Sequence, residues 1–265
     1  MKKVCAVTGA GSGIGLAIAK HFSKDMTVII CGRTQSKIDI AVAEIRASGA
    51  DAYGMSCDVS DMDSIKMFAD CAAKLGDIQM VINAAGISPG SGADAKSIFG
   101  VNMIGTVNIT TAFYPLLAEG GILINIASMS AYMFPVNDAF TSLCNAHKSP
   151  DLLNIALEAF PNAGYAYPVS KRFVIEYTKI CCPLFAKKGA RVVSISPGVV
   201  DTPLLGTSKD SENVKDMITR TPIGRMSEPE EYGYLAEFLA SDKAGCITGI
   251  DILVDGGYMA VFGNK

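Results

Sequence analysis

The clearest chemical signal lies in a pair of residues. Tyr167 and Lys171 stand four positions apart, and Pro168 follows Gly164-Tyr165-Ala166 close to an expected helix start, so both side chains project from one face of one helix. A phenol titrates near about 10, too high for proton exchange near neutrality, and a neighbouring ammonium favours the phenolate and is expected to lower that value. Tyr167 becomes a candidate acid/base, able to protonate a carbonyl oxygen or to take the proton of an alcohol. Tyr165, two positions earlier, has no lysine at that spacing.

A second constellation sits near the N-terminus. The run Thr8-Gly9-Ala10-Gly11-Ser12-Gly13-Ile14-Gly15 follows a short apolar strand pattern and leads into Leu16, Ala17, Ile18, Ala19 and Phe22, an apolar helical face. Glycines in a strand–turn–helix context permit a tight turn and close backbone approach to a pyrophosphate, whose charge then meets a helix N-terminus. The Lys-Ser/Thr ending of an ATPase phosphate loop is missing, since Leu16 follows Gly15.

The elements that must position these residues are legible as alternating patterns. Strand candidates fall at 4–8, 27–31, 52–56, 80–83, 122–127, 191–196 and 251–254, with longer amphipathic segments between them. Near-continuous apolar strands, each followed by a helix, predict a mainly parallel sheet covered on both faces. The expected fold is therefore a doubly wound, Rossmann-type α/β sandwich, a single dinucleotide-binding catalytic domain over residues 1–265. One long connection breaks the rhythm at 131–164. Within it Ser149 reads as a helix N-cap, Pro150 as the first helical residue, and Leu152, Leu153, Ala156, Leu157 and Phe160 as one apolar face ended by Pro161. This helical insertion is either a lid on a substrate site or a subunit contact.

Further motifs follow successive strands: glycines at 9, 13 and 15 in a TGxxxGxG pattern, Cys57-Asp58-Val59, Asn83-Ala84-Ala85-Gly86, Asn102 in the next helix, Ser128 after Asn125-Ile126-Ala127, Tyr167-Pro168-Val169-Ser170-Lys171, and Pro197-Gly198. This order, spanning nearly the whole chain, resembles the short-chain dehydrogenase/reductase family. The resemblance implies hydride transfer between a nicotinamide cofactor and a secondary alcohol or ketone, with Ser128, Tyr167, Lys171 and Asn102 catalytic. Ser128 would hydrogen-bond the substrate oxygen, Lys171 would also hold the nicotinamide ribose, and Asn102 would anchor a water serving Lys171. Gly9, Ser12, Gly13, Ile14 and Gly15 would cradle the pyrophosphate, and Asp58 and Val59 would flank the adenine. Asn83, Ala84, Ala85 and Gly86 would line the ribose side, and Pro197, Gly198, Val200 and Thr202 would hold the nicotinamide end. Asp58 also reads as a cap for a helix starting near Ser60, and Pro197-Gly198 as a plain turn.

At the end of the second strand, Gly32 is followed by Arg33 and Thr34 where an NAD-selective protein needs a carboxylate. A guanidinium suits a 2′-phosphate, so NADP(H) is favoured over NAD(H). Ser12 stands where many NADP-preferring relatives carry a second basic residue, and Arg33 also reads as a solvated side chain. Ser128 and Tyr167 lie 39 positions apart, farther than in most of the family, and the insertion accounts for the difference. Similar insertions occur in some bacterial hydroxysteroid dehydrogenases of the family, whose tail the 248–261 segment also resembles. An apolar substrate such as a steroid or bile acid follows, with Met129, Met133, Phe134, Leu204, Leu205 and Met217 as candidate lining. Ser130, beside Ser128, is a possible helper. The alternatives are a 3-oxoacyl carrier-protein reductase and a non-catalytic NADP-sensing regulator.

Composition narrows the rest. The 265 residues carry a formal net charge of −3 with no Lys/Arg cluster, which argues against a nucleic-acid partner. No run approaches the roughly 20 apolar residues of a membrane span, so a cytoplasmic protein is expected. The eight cysteines include no CxxC pair and are read as reduced thiols; with only His21 and His147, no metal site is expected. The polar 207–213 segment reads as a mobile substrate loop, and the final strand with the following tail as part of a homotetramer or homodimer contact.

Overall fold

The computed structural model describes residues 2–262. Seven strands form one parallel sheet in the order β3-β2-β1-β4-β5-β6-β7. They are β1 Lys3–Thr8, β2 Thr27–Gly32, β3 Ala52–Ser56, β4 Asp77–Asn83, β5 Leu117–Ile126, β6 Arg191–Pro197 and β7 Asp251–Val254. All seven sequence-expected strands form, because alternate residues of each apolar run feed opposite cores. Cys5, Val7, Ile30, Ile82, Ile124 and Ile195 pack against α1 (Gly13–Phe22), α2 (Gln35–Arg46) and α11 (Pro229–Ala240). Val4, Ala6, Ile29, Val81, Leu123 and Val192 face α3 (Met62–Leu75), α4 (Ala95–Phe99), α5 (Gly105–Phe113) and α9 (Ala163–Ala186).

The strand ends differ most in β5. It starts at Leu117 and slips register against β4 between Ile78 and Met80, with Gly120 at φ 75°. Gly120-Gly121 falls in the irregularity, between the β4 pairings of Leu117 and Ile122, and the Gly120 N–H donates to the Gly189 carbonyl at 2.9 Å.

The insertion folds as α6 (Ser130–Met133), α7 (Asp138–Asn145) and α8 (Leu152–Ala159). The start of α8 falls two residues later than expected: Asp151 is the N-cap, and the Ser149 hydroxyl accepts instead from the Asp151 N–H at 3.1 Å. Pro150 therefore precedes the helix. The Phe134 ring meets Phe140 and Phe160 edge-on, both at 5.6 Å between centroids, and all three join the core under α4 and α9. Phe134 is thus a core residue and not pocket lining. The 207–213 segment contains regular turns: 3-10 turns span Pro203–Asp210, and Ser211 caps α10 (Glu212–Arg220) by accepting from the Val214 N–H. Short α12 (Tyr258–Phe262) closes the described chain.

If the insertion is part of the core, Phe134→Ala removes a buried aromatic from a three-ring cluster. Chemical denaturation should show a loss of about 3–5 kcal/mol. An unchanged midpoint would mark the insertion as a detachable flap.

Candidate active site

In a parallel sheet the C-terminal ends of all strands lie on one edge, and the strand order reverses between β1 and β4. A crevice opens at such a switch point. Here it is a cleft of about 510 Å³, lined by loops after β1, β2, β4, β5 and β6 and by the first turns of α9.

Below the cleft the strand ends are tied by buried side chains. The Thr8 hydroxyl donates to Asn83 Oδ1 at 3.2 Å. Asn83 Nδ2 donates to Asn125 Oδ1 and to Thr106 Oγ1, both at 3.0 Å, and Asn125 Nδ2 donates to Thr178 Oγ1 on α9 at 3.1 Å. This network spends the Asn83 side chain within the fold, so its part in the cleft is to fix the chain that follows, where Ala84 and Gly86 reach the wall.

Lys171 is 4% exposed, and its ammonium donates to the Ile126 carbonyl at 2.9 Å. Burial pushes its pKa down to about 8. Nζ lies 5.9 Å from the Tyr167 ring centroid. The Tyr167 phenol is raised by burial, with a hydrogen bond to Ser128 pulling the other way. The expected lowering by Lys171 is therefore corrected: burial dominates, and the ammonium bonds the β5 terminus instead of the phenol. Ser128 is fixed in turn, its Oγ accepting the Ser130 N–H at 3.2 Å.

Asn102 lies in a π-helical turn, Gly100–Ile104, between α4 and α5. Such turns re-aim side chains by inserting one extra residue per turn. Its Oδ1 accepts the Ile87 N–H and its Nδ2 donates to the Ile87 carbonyl, each at 3.0 Å, so it clamps the strand-4 loop. A Cβ on Gly86 would lie 3.3 Å from Lys171 Nζ and 3.5 Å from Asn102 Oδ1, which brings both groups to one point.

At the other end, Gly9 adopts φ 65°, and a Cβ there would fall 2.6 Å from the Ala84 carbonyl oxygen. A Cβ on Gly15 would fall 2.8 Å from the Gly9 carbonyl oxygen. Only hydrogen fits at these contacts, which leaves a backbone cradle at the N-terminus of α1. Neither Ser12, the α1 N-cap, nor Thr34, the α2 N-cap, uses its hydroxyl to cap its helix. Arg33 lines the cleft and makes no ion pair among the described residues. Tight backbone approach, an unspent helix terminus and an unneutralised guanidinium fit the phosphates of a dinucleotide.

Of the expected residues, Gly9, Ser12, Gly13, Ile14, Gly15, Arg33, Thr34, Ala84, Gly86, Ser128, Tyr167, Lys171, Pro197, Gly198, Val200 and Thr202 line the cleft. Asp58, Val59, Asn83, Ala85 and Asn102 lie outside its wall. The Asp58 carboxylate accepts the Ser60 N–H and hydroxyl, and Asp61 caps α3 in its place. Val59 packs beneath Gly105. Lys37 was missed, although it lies four residues beyond Arg33 at the start of a helix and also lines the cleft. Met129, Met133, Leu204, Leu205 and Met217 take the lining positions expected of them. Among the described residues no cluster of His, Cys, Asp and Glu could hold a metal, and no helix is long and apolar enough to cross a membrane.

Residues 3–142 match a family model described as short chain dehydrogenase, and residues 153–259 one described as enoyl-(acyl carrier protein) reductase. The chain is 31% identical over 267 residues to 2,5-dichloro-2,5-cyclohexadiene-1,4-diol dehydrogenase LinX of Sphingobium indicum, covering 97% of this chain and 96% of the relative. It is 30% identical over 266 residues to D-threitol dehydrogenase of Mycolicibacterium smegmatis, covering 97% and 92%. It is 29% identical over 266 residues to 3-oxoacyl-[acyl-carrier-protein] reductase FabG of Thermotoga maritima, covering 96% and 97%. Among solved structures, a variant of actinorhodin polyketide ketoreductase with NADPH superposes with a TM-score of 0.78 at 26% identity, over 97% of both chains.

Gly9→Ala forces a methyl group against the Ala84 carbonyl and into an unfavourable φ. The variant should lose about 1–3 kcal/mol of stability in denaturant titration and bind 2′,5′-ADP at least several-fold more weakly. Wild-type binding and stability would show that the cradle tolerates a side chain.

Proposed function

The chain belongs to the short-chain dehydrogenase/reductase family, and from that premise we propose an NADP(H)-dependent oxidoreductase that interconverts a neutral, largely apolar secondary alcohol and its ketone. The observation that carries this reading is the convergence of Ser128, Tyr167 and Lys171 on one wall of a cleft whose far end is a phosphate cradle.

In the reduction direction Tyr167 gives its proton to the carbonyl oxygen, and Ser128 donates a hydrogen bond to the same oxygen, stabilising the charge that develops there. The raised phenol pKa keeps that proton in place near neutrality, which favours the acid role at rest. Oxidation needs the deprotonated phenol and gains as pH rises. Lys171, anchored on Ile126, places a positive charge behind Tyr167 and near Gly86, where a ribose hydroxyl would be held. When bound, the nicotinamide supplies or accepts the hydride. Asn102 holds the Ile87 backbone and so keeps the Gly86 turn against Lys171.

Arg33, with Lys37 in the first turn of α2, supports NADP(H): two cations line this end of the cleft and no cleft-lining residue is a carboxylate. Met129, Met133, Leu204, Leu205, Val214 and Met217 leave the substrate end without formal charge, which supports a neutral substrate. Relatives named for cyclic and polyol alcohols support the alcohol–ketone reaction, and of the steroid and bile-acid substrates expected from the sequence the uncharged lining favours a neutral steroid over a bile-acid carboxylate. The likeness to FabG supports a second reading, reduction of a 3-oxoacyl group on a carrier protein. By the habit of the family the protein works as a homodimer or homotetramer, and we place it in the cytoplasm.

The test is consumption of NADPH or NADH with ketosteroids, cyclic ketones and a 3-oxoacyl thioester. Turnover should favour NADPH and a cyclic or steroidal ketone; a preference for the thioester would select the second reading. Tyr167→Phe should lower kcat/KM by about 10²–10⁴-fold. Arg33→Asp should move the NADPH/NADH preference by about 10- to 100-fold towards NADH. NADPH binding without turnover on any ketone would instead indicate a sensor.

A further inference from the structure

The substrate end of the cleft holds a hydroxyl that the proposed chemistry does not use. Ser130 lines the cleft two residues beyond Ser128, and its Oγ is shut off from solvent without a hydrogen-bond partner among the described residues. Buried hydroxyls are nearly always paired; turned into the wall here, this one gains a partner by rotating towards the cleft, where a ligand atom can meet it. The two neighbouring cleft serines have partners in the fold. Ser128 Oγ accepts the Ser130 N–H at 3.2 Å and bonds Tyr167, and Ser88 donates to the Leu204 carbonyl at 3.4 Å. Met129, Met133, Leu204, Leu205 and Met217 carry no side-chain nitrogen or oxygen. Ser130 thus sits on the same turn as Ser128: the Ser128 hydroxyl is assigned to the reacting oxygen, and the Ser130 hydroxyl is free to rotate about a single bond.

We infer that Ser130 determines specificity by hydrogen-bonding a second oxygen of the substrate, on the carbon beside the reacting one, so that α-hydroxy ketones and the corresponding vicinal diols are preferred. The inference rests on the oxidoreductase reading and adds the substrate's second functional group. Two hydroxyls carried on one turn suit two oxygens on neighbouring carbons. A charged second group would be desolvated here without a counter-charge, so the second oxygen is neutral.

The experiment compares 2-hydroxycyclohexanone with cyclohexanone, following NADPH consumption by the wild type, Ser130→Ala and Ser130→Thr. In the wild type kcat/KM for the hydroxyketone should exceed that for cyclohexanone by about tenfold or more. In Ser130→Ala the ratio should fall towards one, chiefly through a higher KM for the hydroxyketone, and Ser130→Thr should restore it. A serine that only supports the fold would move both substrates together. A wild-type ratio near one, or a ratio that survives in Ser130→Ala, overturns the inference and leaves the oxidoreductase reading standing. Failure of the wild type to reduce either ketone, or any other in the panel above, overturns that reading and this inference with it.

Discussion

The hydrogen bond from Lys171 to the Ile126 carbonyl sets the terms for the whole site. A parallel sheet ends in a row of carbonyls that the next strand cannot satisfy, and here a side chain from α9 reaches the last one of β5. The contact places an amine in a position with little solvent, and burial brings its pKa down to about 8. The same bond fixes the start of α9 against β5, which is what holds Tyr167 beside Ser128. Fold and chemistry share one interaction, so neither can be changed alone.

Around that anchor, the fold divides polar demands by location. Asn83, Asn125, Thr106 and Thr178 satisfy one another beneath the strand ends and expose nothing. Above them the cleft is cationic at one end, through Arg33 and Lys37, and uncharged at the other, where methionine and leucine side chains dominate. Methionine adapts its shape readily, so that wall fills irregular spaces without specifying one outline. Selectivity at that end then depends on the few hydroxyls present. The insertion stiffens this arrangement from outside: its phenylalanine cluster packs beneath α4 and α9, and only its first turn, with Met133, reaches the cleft.

Much of this was legible in the residues because it depends on local pattern. Seven apolar runs became seven strands, and the TGxxxGxG turn and the Tyr167–Lys171 spacing depend only on neighbours along the chain. Features that depend on distant packing were not legible. The start of β5 at Leu117 is hidden by Gly120-Gly121, because it depends on pairing with β4 on either side of them. Phe134 looks like pocket lining until two other insertion rings enclose it. The π turn at Asn102 leaves no mark in composition, since it is a shift in hydrogen bonding and not in residue type. The titration of Tyr167 was misread for the same reason: helical spacing shows that an amine is near, whereas the depth of burial, which decides the direction, belongs to the folded chain. Lys37 is the reverse case, a basic residue in the first turn of the helix after Arg33 that the sequence displayed and the reading passed over.

The pH dependence of kcat/KM for ketone reduction tests the central claim most directly, because it reports groups of the enzyme before the ketone binds. Lys171 titrates in the folded protein at about 8, so its charge is present below that pH and is lost above it. Tyr167, raised by burial, keeps its proton through the same interval. The account predicts a plateau at neutral pH and a descending limb centred near pH 8. A profile that stays level to pH 10 would show that the Lys171 charge plays no part in the reaction and would contradict it.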